Sequence, residues 1–141
     1  MIRFALVFVL ALWQTPSGVD AADADGLTAL MKAAARADTP AVQALIAKGA
    51  NVNLQAEGTR LTALMCAAYF GHTAVVTALL ARGAKPDLKD ASGASAADWA
   101  GAASRDAAGD LLAKAGSQLN PFLNVGVMPL ALMDKAAGKA P

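Results

Sequence analysis

The sequence predicts an all-α solenoid of about three helix–turn–helix repeats, and three observations predict it. The first is local. Leu64, Ala67 and Ala68 are spaced i, i+3, i+4 and share one helix face, as do Val75, Val76, Leu79 and Leu80. Gly71 separates the two faces, and Gly83 follows the last periodic residue, a usual C-terminal signal. The second is recurrence. Thr28-Ala29-Leu30-Met31 repeats as Thr62-Ala63-Leu64-Met65 after 34 residues, and Val42, Leu45, Ile46 and Gly49 repeat as Val76, Leu79, Leu80 and Gly83 at the same interval. The third is composition. Hydrophobic residues make up 56% of the chain but aromatic ones only 5%, which suits short helices packed through small side chains better than one large globular core.

Taken in order, the chain opens with Arg3 and then ten residues, 4–13, without a charge. Pro16, Ser17 and Gly18 break any helix there, and Val19-Asp20-Ala21 sets small residues before a cut. This is the order of a secretory signal peptide over residues 1–21. A membrane anchor is the competing reading, but the apolar run falls well short of the ~20 residues that span a bilayer. Export predicts a periplasmic or secreted protein. The first repeat covers about 24–57. There Ala37-Asp38 stands in the turn, with Thr39 placed to cap the second helix and Pro40 at its first position. The second repeat covers about 58–90. One extra residue lies between Asn53 and Thr62, so the loop entering it should bulge.

The third repeat, about 91–116, is the weakest. Ser95-Ala96-Ala97-Asp98-Trp99 replaces the threonine-led start, Ser104 stands at the turn, and Gly109 sits inside the last helix, where glycine costs about 1 kcal/mol relative to alanine. Trp99 supplies bulk, and it should stack on the second repeat. Residues 117–141 then form a capping segment and a disordered end. Within it, 118–133 carry Phe122, Leu123, Leu130 and Leu132, too apolar for a solvated tail. They are read as a cover on the open face of the third repeat, with a segment for a partner as the alternative.

The period of 33 to 34 residues, with Gly71-His72, Val75-Val76, Leu79-Leu80 and Gly49-Ala50-Asn51-Val52-Asn53, resembles the ankyrin repeat over about residues 24–116. The family's Thr-Pro-Leu-His start becomes Thr-Ala-Leu-Met twice, so Met31 and Met65 put apolar packing where a histidine would bond the neighbouring repeat. The resemblance implies a non-enzymatic module that binds a folded protein through finger loops and inner helices. A structural accessory subunit, or an inhibitor or immunity-type protein held permanently by one partner, is the alternative.

The residues exclude other classes. A net charge of +1 with no basic run points away from nucleic acid. One histidine and one cysteine form no recognised ligand set, and no nucleophile, phosphate-loop or paired-carboxylate pattern appears, so neither catalysis nor a cofactor is expected. Cys66 reads as a small buried residue and His72 as a structural one. No stable membrane insertion is expected, and the protein should be a monomer. Stacking consumes the apolar faces, which leaves finger tips and outward helix positions for a partner. These are Gln55, Glu57 and Arg60 on the enlarged finger, Tyr69 and Phe70 before the Gly71 turn, and Lys89 and Asp90 on the next finger. The aromatic pair, ringed by Arg60, Glu57 and Lys89, has the make-up of an anchor with a charged rim.

Overall fold

The computed structural model describes residues 18–117 and 130–138. Among the described residues there are seven helices: α1 (Ala29–Ala35), α2 (Thr39–Ala47), α3 (Ala63–Phe70), α4 (Thr73–Ala81), α5 (Ala96–Ala102), α6 (Asp106–Lys114) and α7 (Leu130–Ala136). The all-α repeat architecture predicted from the period is the one observed. Residues 1–17, 118–129 and 139–141 lie outside the description, and with them most of the expected leader and Phe122 and Leu123 of the expected cover.

Local chemistry starts each inner helix in the same way. Thr28, Thr62 and Ser95 accept through their hydroxyls from the backbone N–H of Met31, Met65 and Asp98, at 3.3, 3.2 and 3.3 Å. In the third repeat Asp98 returns the bond to the Ser95 N–H at 2.8 Å, which completes a capping box. The first outer helix differs from expectation by one residue. Asp38, not Thr39, is the cap, accepting from the Ala41 N–H at 3.1 Å. A carboxylate at that position meets the positive end of the helix directly, and Thr39 is drawn into the first turn.

Three residues turn inner helix into outer helix, and all three are left-handed: Ala37 at φ 60°, Gly71 at φ 73° and Ser104 at φ 53°. Only glycine takes this conformation without a Cβ penalty. The geometry of the turn is thus kept even where the sequence departs from glycine.

Stacking follows from these units. Inner helices α1, α3 and α5 pack in a row, and α2, α4 and α6 form the outer row. Leu30, Met31, Leu64, Met65, Cys66, Leu79, Trp99 and Leu112 are at most 2% exposed. Met31 and Met65 therefore fill the space between repeats, as their position predicts. Trp99 meets Tyr69 edge to face at 5.6 Å between centroids, so it does stack on the second repeat. Cys66 lies in the middle of the inner row, and burial pushes its thiol up to about 12.

The same backbone bond closes each finger, around a second bond inside it. The N–H of Asp23, Ala56 and Asp90 donates to the carbonyl of Leu27, Leu61 and Ala94. The middle finger encloses one residue more than the others, which is the predicted bulge. Side chains then tie finger to finger. Asp20 Oδ1 accepts from the Asn51 N–H at 2.9 Å, and Asn53 Oδ1 accepts from the Lys85 N–H at 2.7 Å. The first finger thus begins at Gly18–Asp20, inside the segment read as leader.

The end of the chain departs most from expectation. Helix α7 packs against α1, at the opposite end of the array from the third repeat. Met133 and Ala136 are fully buried, and Lys135 pairs with Asp25 at 2.6 Å. The stretch from Lys135 to Gly138, read as disordered, belongs to this helix and the turn after it.

Candidate protein-binding surface

The seven residues singled out from the sequence fall into three places. Tyr69 and Phe70 end α3 and are half-buried. Their rings meet edge to face at 4.9 Å and 83°, and Tyr69 continues the chain of rings to Trp99. Phe70 stacks on His72 at 5.8 Å. His72 is itself fixed, because its Nε2 lies 3.0 Å from the Ala35 carbonyl oxygen at the end of α1. The histidine of the second repeat thus holds the first, so Tyr69 rests on the buried Trp99 and Phe70 on the half-buried, bonded His72. The neighbours at the register position of Tyr69 are small, Ala35 in α1 and Ala102 in α5. Tyr69 is therefore the one large side chain in that row.

The finger group is separate. Gln55 Nε2 donates to the carbonyl oxygens of Arg60 at 3.1 Å and Lys89 at 2.8 Å, while Arg60 Nη2 donates to Gln55 Oε1 at 3.2 Å. One amide thereby joins the middle finger to the next. Arg60, Glu57 and Lys89 are exposed around it. Arg60 is left-handed at φ 57°, where the other two fingers place Gly26 at 76° and Gly93 at 86°. An arginine in a glycine's conformation is strained, and the Gln55 bonds hold it there.

Two expectations need correction. Asp90 is 3% exposed and does not belong to the surface. Its Oδ1 accepts from Ser92 N–H at 2.8 Å, Ser92 Oγ–H at 2.6 Å and Ala94 N–H at 2.9 Å, and its Oδ2 accepts from Trp99 Nε1–H at 3.0 Å. Every lone pair faces inward, toward the turn and the indole. Nor do Arg60, Glu57 and Lys89 ring the aromatic pair. Arg60 precedes α3 and Phe70 ends it, so the helical rise alone sets them about 10 Å apart. The charged and aromatic groups sit at opposite ends of the inner helix. Flanking the aromatic end instead is Arg105, whose stem lies over Gly71 so closely that a Cβ there would come within 2.8 Å of its Cδ.

Sequence reasoning missed the finger ties through Asp20 and Asn53. The signal was present, since Asp20, Asn53 and Asp87 recur at the repeat interval. Among the described residues no group of three or more His, Cys, Asp and Glu is placed to hold a metal ion, and no helix is long and apolar enough to cross a membrane.

Comparison with known families agrees with this geometry. The model described as "Ankyrin repeats (3 copies)" matches residues 4–90. No curated protein matches the chain. The match stops before the third helix pair, where Ser95-Ala96-Ala97-Asp98, Ser104 and Gly109 depart from the pattern although the fold continues. Ankyrin repeats generally mediate protein–protein interaction and are a non-enzymatic module. With more than half its length matched and its helix pairs stacked at the family's interval, the chain belongs to the ankyrin repeat family.

Proposed function

We propose that the protein binds a folded protein partner through its inner-helix face, with Tyr69 and Phe70 as the anchor and the Gln55–Arg60–Lys89 finger group as a separate polar contact. One observation carries the reading. A half-buried aromatic pair, braced by Trp99 and His72, ends α3, with Ala35 and Ala102 at the register neighbours of Tyr69 and Arg36 and Ala103 at those of Phe70. Rigid aromatic side chains that lose little entropy on contact are what interface hot spots are made of. Tyr69→Ala and Phe70→Ala should each weaken partner binding by more than about 1 kcal/mol, measured by titration calorimetry against the partner recovered by crosslinking. Arg60→Ala should weaken it less, and more at low salt than at high. Normal binding by both aromatic variants, with folding verified by circular dichroism, rejects this anchor.

The place of action in this proposal is the periplasm or the exterior, after loss of an N-terminal leader. Arg3, the uncharged run 4–13 and Val19-Asp20-Ala21 support it. Intact mass of the protein from the exported fraction tests it, and Met1 retained there rejects it. The same spectrum locates the cut. A cut after Ala21 removes Asp20 and with it the bond to Asn51, so a cut ahead of Gly18 suits the first finger better.

A further inference from the structure

Helix α7 keeps the phase of the repeat. The inner helices begin at Ala29, Ala63 and Ala96, at intervals of 34 and 33 residues, and α7 is described from Leu130, 34 residues further on. The left-handed residues that follow are Ala37, Gly71, Ser104 and Gly138, at the same three intervals, and Gly138 has the φ of 73° found at Gly71. By its position in the sequence α7 is a fourth inner helix.

An inner helix in such an array has two stacking sides. Helix α3 uses both, one on α1 and one on α5. Helix α7 meets α1, with Met133 and Ala136 buried, and its Lys135 pairs with Asp25 on the first finger. It thereby takes the place that a repeat preceding the first would take. The third repeat, on which α7 would stack by its phase, keeps an open hollow of about 330 Å³. Four small residues, Ala97, Gly101, Gly109 and Ala113, line it beside the charged Arg105, Asp106 and Asp110, and no residue of the second repeat does. It therefore faces away from the array.

The chain thus has one stacking helix and two ends that fit it. In one molecule α7 on α1 leaves the hollow open. At the joint between two molecules one helix serves both surfaces: α7 stacks on its own third repeat and offers its other side to α1 of the next copy. We propose that the third-repeat hollow and the first-repeat face form a head-to-tail interface between copies of this chain, with α7 as the bridging helix. The closed monomer is the low-concentration form, and the stacked form replaces it as concentration rises. The contact is heterologous, so each added copy leaves the same two ends free. This proposal is independent of the anchor at Tyr69 and Phe70.

The Lys135–Asp25 pair gives the test, because a zero-length carbodiimide joins an ammonium and a carboxylate in contact. Equal amounts of ¹⁵N-labelled and unlabelled chain are mixed and coupled across a hundredfold range of concentration. The crosslinked peptide joining Lys135 to Asp25 should carry one label from each isotope in a share that grows with concentration, toward one half. Sedimentation equilibrium on the same samples should show the average mass rising above one chain. Gly109→Arg enters the hollow from a position where an added Cβ meets nothing within 4 Å. It should raise the concentration for association about tenfold or more while the monomer keeps its helical circular dichroism. Crosslinks confined to a single isotope at every concentration overturn the proposal. So does a mass fixed at one chain, or association that Gly109→Arg leaves unchanged.

Discussion

At the scale of single residues, the left-handed turn is where sequence and conformation disagree most. Gly71 suits its φ of 73°, but Ala37 and Ser104 hold φ of 60° and 53° with a Cβ attached. The penalty is about 1–2 kcal/mol for each, offset in part by the greater freedom glycine has in the unfolded chain. Ala37→Gly should therefore stabilise the protein by roughly 0.5–1 kcal/mol in urea titration. Gly71→Ala should destabilise it by about 1–2 kcal/mol, since the new Cβ takes on the strained φ and also meets the Arg105 stem. Equal and small effects of both substitutions would show that the turn is relaxed by other means. Asp90 teaches a related lesson about reading residues. Its place on a loop suggested exposure, yet Ser92 two positions on and the loop-closing Ala94 mark it as an Asx-turn residue, and the matching Asp23 bonds Asp25 and Leu27 in the same way. The shared turn does not by itself bury the carboxylate, since Asp23 stays exposed; Asp90 is buried by Trp99, from whose indole N–H it accepts.

Among elements, the repeat period made α1 to α6 legible, because each helix pair supplies the evidence for the next. Caps and turns were legible in the same way, apart from Asp38, where two adjacent residues could both cap and the carboxylate prevailed. The position of α7 was not legible. An apolar segment at the end of a stack must cover something, and periodicity gives its neighbours without giving which end it covers. Phase points to the third repeat, whereas the fold places α7 on the first. Truncation after Ser117 should accordingly strip protection from α1 and leave α5 and α6 nearly unchanged, as read by native-state amide exchange at low protein concentration. Loss of protection confined to α5 and α6 would return the segment to its expected place.

For the molecule as a whole, the site was only half legible. The place of Tyr69 and Phe70 at the end of α3, just before the Gly71 turn, was legible from the repeat, whereas their packing on Trp99 and His72 was not legible for this pair. Nor were their surroundings, because residues close in sequence on either side of an eight-residue helix are set apart by the helix itself. The ends of the array are also less independent than in a simple solenoid, whose stability is a sum over neighbours. Helix α7 joins the last segment of the chain to its first repeat. Cys66 offers a way to time the consequences without adding any label. Its thiol is fully buried in the middle inner helix and titrates near 12, so a thiol-specific reagent at pH 8 finds it only while the second repeat is open. The rate of colour development with a disulfide reagent is then a clock for that opening. The clock should run slower in the intact chain than in one lacking α7 if closure of the two ends is felt at the centre, and at the same pace if each repeat opens alone.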